Sequence, residues 1–355
     1  MLDQRGSGKS TPRGCVERNT LPFIVLDCER LRRHLGIDSW DLILGGSWGT
    51  TVALAYAQTF PWSMKAMVLR GICTFRRSEV DWLFNANGGA AQQFPQAWKN
   101  FSHAVGSPEE SNKNQSDGRR TLHRYYDKLL GNNNATRLAA ARSWMGYEFG
   151  VTSILHNQTS DWNTTVLVSP AHQDYSTWRF ENQNGKEIKL VDQSPAVVAS
   201  KLRLGVKKEQ LSRMRSTAGT LLRRPVQDNR EVAEKISTPP SATIGDRRGI
   251  PTDFIPAQNM LTCFYSVNEN YVLGDMINLL DEDRTRKISN LICIGVHGGM
   301  DRICPPDTAL DLLEVLPEME LRIPLASGHS MYDPGITHEL VMATDRLADR
   351  LSTSK

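Results

Sequence analysis

Gly45-Gly46-Ser47-Trp48-Gly49 has the G-x-S-x-G spacing that suits a serine to nucleophilic attack. An apolar run at 40–44 precedes it, and a stretch rich in alanine and leucine (Val52, Ala53, Leu54, Ala55, Ala57) follows. A serine on the sharp turn between strand and helix exposes its Oγ. Glycines beside it admit the tight backbone, and the helix N-terminus faces the anion that develops on attack. Such a serine needs a base to take its proton and an acid to orient that base. Asp301 follows the apolar run Leu291-Ile292-Cys293-Ile294 and the turn Gly298-Gly299; His329 follows Leu321-Arg322-Ile323-Pro324-Leu325 and Gly328. The separation of acid and base, 28 residues, leaves room for one helix and one strand. Singly, Ser47 reads as a helix N-cap, Asp301 as a turn residue and His329 as a loop histidine. In the order serine, acid, histidine, each after a strand, they read together as a triad. Asp307 and Asp333 are the alternative acids, and His297 and His338 the alternative bases.

These residues need a frame. Residues 27–35 have helical spacing (Cys28, Leu31, His34, Leu35) closed by Gly36; the run at 40–44 is a strand, the stretch from Ser47 to Pro61 a packed helix, and 66–70 the next strand. Strand, helix and strand within about thirty residues make a βαβ unit, hence a parallel sheet between helices. Residues 79–150 show helical periodicity with aromatics at Trp82, Phe94, Trp98, Tyr125, Tyr126, Trp144 and Tyr147, broken by a polar loop at 107–119. Residues 151–255 carry the least pattern, with loop signals at Thr238-Pro239-Pro240 and 245–249. Sheet character returns at 291–294 and 321–325, and a closing amphipathic helix spans 339–351 with Leu340, Met342, Leu347 and Leu351 on its apolar side.

At roughly 150 residues per domain, 355 residues allow two domains or one large domain with an insertion, and no disulfide or metal staple is required. A hydrophobic content of 39% excludes bulk disorder. Forty-two basic against 39 acidic side chains leave a net charge of +3, so nothing electrostatic argues for a nucleic-acid or membrane partner. The basic tract at 201–224 reads as a solvated face on an insertion, since no aromatic platform accompanies it. Six scattered cysteines without C-x-x-C pairing suit a reducing compartment. No apolar run approaches the roughly 18 residues of a membrane span, and polar Asp3-Gln4-Arg5 replaces a signal-peptide core, so the expectation is a soluble cytoplasmic protein. Gly6-Ser7-Gly8-Lys9-Ser10 mimics a phosphate-binding loop, but Asp3 stands where that motif needs its first glycine, and no strand precedes it.

The segment from Asp3 to Ser10, the Gly45–Gly49 motif with Leu54-Ala55-Tyr56-Ala57-Gln58, Val68-Leu69-Arg70-Gly71-Ile72 and Gly328-His329-Ser330 together resemble the proline iminopeptidases (prolyl aminopeptidases). The resemblance covers about residues 1–150 and 256–350. It implies an α/β-hydrolase: a mostly parallel sheet with a helical cap inserted. Residues 1–78 and 286–355 would form the hydrolase domain, and 79–285 the cap with a long unassigned insertion at about 151–255. It further implies Ser47 as nucleophile, Asp301 as acid, His329 as base and the Trp48 N–H as oxyanion donor, within an elbow of Gly45, Gly46 and Gly49. The implied reaction releases N-terminal proline from peptides, without metal or organic cofactor. Trp144-Met145-Gly146-Tyr147-Glu148 resembles the family's W-x-x-W-E, which makes Glu148 the carboxylate for the substrate's free amine. The family's second cap glutamate falls on Thr262, with Glu269 as a substitute. Members also carry an H-G-G-P-G loop, the second oxyanion donor, upstream of D-Q-R-G. With Met1 two residues before Asp3, that loop and the N-terminal strands are expected to be missing. The alternatives are thus a catalytically impaired hydrolase-like protein or another serine hydrolase, such as an esterase, of the same fold.

Overall fold

Ala66 to Leu69 carry apolar side chains on both faces of an extended run, so the segment is stable only where both faces are covered, and each of the four is 0% exposed. The computed structural model describes residues 1–86, 89–106, 117–152, 165–168, 179–181, 184, 186–187, 254–276 and 278–353. Its elements in chain order are α1 (Leu21–His34), β1 (Ile43–Gly46), α2 (Trp48–Thr59), β2 (Ala66–Arg70), α3 (Arg77–Phe84), α4 (Gly89–Gln93), α5 (Pro95–Ala104), α6 (Asp117–Leu130), α7 (Asn134–Thr152), β3 (Thr165–Val168), β4 (Arg179–Glu181), α8 (Phe254–Val267), α9 (Glu269–Leu273), α10 (Glu282–Arg286), β5 (Ile292–Val296), α11 (Pro306–Val315), β6 (Glu320–Pro324) and α12 (Pro334–Thr353). Among the described residues no helix is long and apolar enough to cross a membrane.

The described residues group into two compact units, one from Met1–Phe23, Val80–Tyr147 and Gly205–Val272, the other from Ile24–Glu79, Glu148–Leu204 and Leu273–Lys355. The second holds a six-stranded sheet in the order β1-β2-β5-β6-β3-β4. β1, β2, β5 and β6 run parallel; β3 pairs antiparallel with β6, and β4 antiparallel with β3. α2 is buried almost throughout, as its run of alanines suits. On α12, Ile336, Leu340, Ala343 and Leu347 recur at helical spacing and pack with Ala66, Val68, Ile294 and Val296. Met342, expected on that face, is 41% exposed.

β3 and β4 lie in the stretch the sequence left unassigned. β3 joins the sheet through its backbone, and Thr165 Oγ1 donates to Glu339 Oε1 at 2.7 Å. Glu339 also accepts from Arg322, whose Nε donates to Glu320; this pairing is what permits a buried arginine inside β6. The basic tract at 201–224 and the loop signals at 238–249 lie outside the described residues, as do 107–116 of the expected polar loop; 117–119 open α6 instead.

α1 begins earlier than its hydrophobic spacing predicts and turns a different face inward. Ile24, Val25, Glu29 and Arg32 are buried, while Leu35 is 55% exposed. Two charges sit inside because they satisfy each other. Arg32 donates to both Glu29 carboxylate oxygens (2.9 and 2.7 Å) and to the carbonyls of Ile37 and Asp38; Arg33 and the Tyr56 hydroxyl also donate to Glu29. The hydrogen bonds from Arg32, with those from Arg33 and Tyr56, outweigh burial and lower the Glu29 pKa from 4.5 to about 2. A depressed carboxylate contributes its stability above its unfolded pKa and loses it as pH falls toward the folded one. Glu29→Gln is therefore expected to cost about 3 kcal/mol at pH 7. That deficit relative to the parent should shrink as pH is lowered from about 4.5 toward 2, a trend checked by chemical denaturation across that range.

The other unit is helical, and its aromatics form its core. Phe101 stacks on Tyr125 and Tyr147 at centroid distances of 4.3 and 4.6 Å, with Trp144 edge-on to Phe101 and Tyr125. The Tyr147 hydroxyl donates to the Leu83 carbonyl, and that of Tyr125 to the Phe101 carbonyl. Met1–Phe23 groups with these helices, whereas the sequence reading set it in the hydrolase part. The reason is a polar clasp on α8: Gln4 Nε2 donates to the Tyr265 hydroxyl, which donates to Asn19 Oδ1. The mimic of a phosphate loop closes on its own acid. Asp3 Oδ2 accepts the Lys9 N–H at 2.9 Å, and a Cβ on Gly8 would lie 2.3 Å from the Asp3 carboxyl carbon.

Candidate active site

Ser47 stands between β1 and α2 with φ 53° and ψ −123°, a conformation that costs an L-residue energy and that the surroundings hold in place. Its N–H donates to the Arg70 carbonyl at 2.8 Å, and its own carbonyl accepts from the Thr50 N–H. Gly45 is required by space, since a Cβ there would lie 2.4 Å from the Gly49 carbonyl oxygen. At Gly46 the nearest neighbour of a Cβ would be the flexible Arg70 guanidinium, at 2.5 Å, and at Gly49 nothing outside its own stretch of helix lies within 4 Å. Ser47 makes no side-chain cap bond to α2, unlike an ordinary N-cap serine.

Its hydroxyl is directed elsewhere. Ser47 Oγ lies 3.0 Å from His329 Nε2, and His329 Nδ1 lies 2.7 Å from Asp301 Oδ2. A carboxylate only accepts, so the imidazole carries its proton on Nδ1 and presents Nε2 to the serine O–H. Asp301 is wholly buried, and Oδ1 accepts from the N–H groups of Ile303 and Cys304 at 3.0 and 2.9 Å. Burial would raise its pKa, but the charge and hydrogen bond of His329, with His297 and the Cys304 N–H, hold it below the usual carboxylate range. The three side chains follow β1, β5 and β6 at the carboxyl edge of the parallel strands, as the sequence predicts. This series can carry a proton from a hydroxyl to an imidazole that a buried anion steadies, which is the chemistry of a nucleophilic serine.

The turns themselves interlock. Gly298 lies against Gly328, where a Cβ would come within 2.1 Å of the carbonyl oxygen, and the Met300 N–H donates to the Ser327 carbonyl. Arg70 Nη1 donates to the His329 carbonyl at 2.9 Å. Gly71, at φ 54°, backs the His329 ring, and a Cβ there would lie 3.1 Å from Cε1. Trp48 packs edge-on against Phe75, itself at φ 56° and clasped by the Glu79 carboxylate through its N–H and that of Thr74.

The rival residues have other places. Asp333 Oδ2 accepts the Gly328 N–H at 2.6 Å and so shapes the histidine turn. Asp307 is buried in the first turn of α11, and His338 is half-buried on α12. His297 is wholly buried with both ring nitrogens bonded to backbone. Glu148 is half-buried near the end of α7. Thr262 donates to the Gln258 carbonyl within α8, and buried Glu269 is ion-paired with Arg119. Arg70, His297 and Asp333 act on the turns across space. In the sequence Arg70 stands inside the Val68-Leu69-Arg70-Gly71-Ile72 motif, whereas His297 and Asp333 read there only as a rival base and a rival acid. Among the described residues no cluster of three or more His, Cys, Asp or Glu side chains could hold a metal.

Comparison with known proteins shows the family of the chain. The family model for the alpha/beta hydrolase fold matches residues 1–181. A proline iminopeptidase of Xanthomonas citri is 30% identical over 348 residues, covering 98% of this chain and 80% of that protein. One of Arabidopsis thaliana is 30% identical over 347 residues, covering 98% of this chain and 66% of its own length. Among solved structures, a bromoperoxidase from Bacillus anthracis aligns over 98% of this chain and 80% of its own, at 12% identity and a TM-score of 0.43. Fold and family thus define a serine hydrolase of the α/β-hydrolase class. Within that class, the chain belongs to the proline iminopeptidase family.

Proposed function

We propose that this protein is a serine aminopeptidase that releases N-terminal proline from peptides. The observation that carries the reading is the hydrogen-bonded series Ser47–His329–Asp301, on the scaffold of a family whose named members are proline iminopeptidases. Ser47 Oγ attacks the carbonyl of the N-terminal residue while His329 Nε2 takes its proton. Negative charge gathers on the carbonyl oxygen, facing the N-terminus of α2, where the Trp48 N–H is the donor. His329 returns the proton to the departing nitrogen, the C–N bond breaks, and an ester to Ser47 remains. Water, deprotonated by the same imidazole, hydrolyses that ester and frees the residue. Asp301 orients the imidazole and stabilises its charged form throughout. Glu148 receives the substrate's ammonium, which restricts attack to chain ends.

A second reading, an esterase of the same fold, draws on the amine side: Thr262 offers no charge and Glu269 already has Arg119. A panel of proline amide, alanine amide and an acyl ester, run on the parent and Glu148→Gln, separates the two. The aminopeptidase reading predicts proline amide as the best substrate and a fall of about 10- to 100-fold in its kcat/KM on Glu148→Gln, carried mainly by KM, with the ester unaffected. Preferred turnover of the ester, indifferent to Glu148→Gln, would replace it with the esterase.

A further inference from the structure

His297 follows the last residue of β5, and its imidazole is 0% exposed. The Ile72 N–H donates to Nδ1 at 3.0 Å, and Nε2 lies 2.8 Å from the Cys304 carbonyl oxygen. An amide N–H can only donate and a carbonyl can only accept, so the ring is neutral with its proton on Nε2. Burial lowers its pKa further, against the pull of Asp301 and the Cys304 carbonyl, while His329 and Arg70 reinforce the lowering.

Each of those bonds ends on a turn that seats the candidate triad. Cys304, held through its carbonyl, gives its N–H to Asp301 Oδ1 at 2.9 Å. Ile72, held through its N–H, follows Gly71, whose backbone supports the His329 ring. His297 Nε2 is itself 3.8 Å from Asp301 Oδ2, the oxygen bonded to His329. One neutral ring therefore spans the turn after β2 and the turn after β5, behind the Asp301–His329 pair. We infer that His297 is a positioning residue for the hydrolytic reaction: it staples these two turns and thereby sets the Asp301–His329 hydrogen bond. The inference rests on reading Ser47, His329 and Asp301 as the working triad. A ring that only filled space would be replaceable by leucine at a cost in stability alone.

The test compares the parent with His297→Leu, His297→Gln and His297→Asn in the full chain. It reads the rate at which a fluorophosphonate modifies Ser47, mapped by mass spectrometry, together with kcat and KM on proline amide, each referred to the folded fraction. His297→Leu is expected to label about 10- to 100-fold more slowly, with kcat falling in step and KM within about threefold. His297→Gln, which places an N–H donor near the Nε2 position, recovers most of the rate; His297→Asn, too short to reach the Cys304 carbonyl, does not. Parental labelling by His297→Leu, or a rise in KM at unchanged kcat, overturns the inference. Should the leucine variant not fold, equal labelling of the glutamine and asparagine variants overturns it as well. Labelling requires no proline, so a parent that labels readily without cleaving proline amide refutes the substrate reading while the variant rates still decide the role of His297.

Discussion

Ser47→Ala is expected to lower kcat/KM for a proline amide by about 10⁵- to 10⁶-fold, because no other hydroxyl takes its place in the series Ser47–His329–Asp301. Loss on that scale distinguishes a nucleophile from a residue that merely orders the turn. The same position makes a second, opposite expectation for stability. Ser47 is held at φ 53° and ψ −123°, a region that glycine adopts without the cost a side chain incurs. Ser47→Gly should be as inactive as the alanine variant yet more stable than the parent by about 1–3 kcal/mol, read from denaturant unfolding. A glycine variant no more stable than the parent would mean that the elbow is not strained.

Asp301→Asn is the next largest effect, about 10⁴-fold in kcat. The asparagine oxygen can keep the N–H bonds from Ile303 and Cys304, so the turn stays in place. Its amide nitrogen then faces His329 Nδ1 as a donor, which moves the imidazole proton to Nε2 and turns a donor toward Ser47. The variant should retain its fold and lose its base. Asp333→Asn, by contrast, alters a carboxylate that shapes the histidine turn through the Gly328 N–H, without touching the imidazole, and should be much milder. If the two substitutions were equally damaging, the choice of Asp301 as the acid would be wrong.

The candidate site was legible because Ser47, Asp301 and His329 each follow an apolar run, and two of those runs, β5 and β6, are buried almost throughout. α1 was misread for the opposite reason. Its inward face carries Glu29 and Arg32, whose mutual bonds make burial tolerable, and no hydrophobic period records that. On α12 the inward series is Ile336, Leu340, Ala343 and Leu347, and a small alanine in the series let Met342 pass for a core position. β3 is four residues long and finds its partner, β6, more than 150 residues downstream, so the periodicity of its own neighbourhood said nothing of the pairing. The supports of the site were hidden in the same way. His297 and Asp333 read as rival catalytic residues in one dimension, and only the folded turns show them bonded to backbone instead.

The most direct test of the central claim is hydrolysis of a chromogenic proline amide by the purified chain, beside Ser47→Ala and beside the N-acetylated proline amide. The account predicts turnover by the parent that disappears with Ser47→Ala and with the blocked amine, since the nucleophile and the free ammonium are both required. Turnover that survives the loss of Ser47, or that accepts the acetylated substrate equally well, would contradict it.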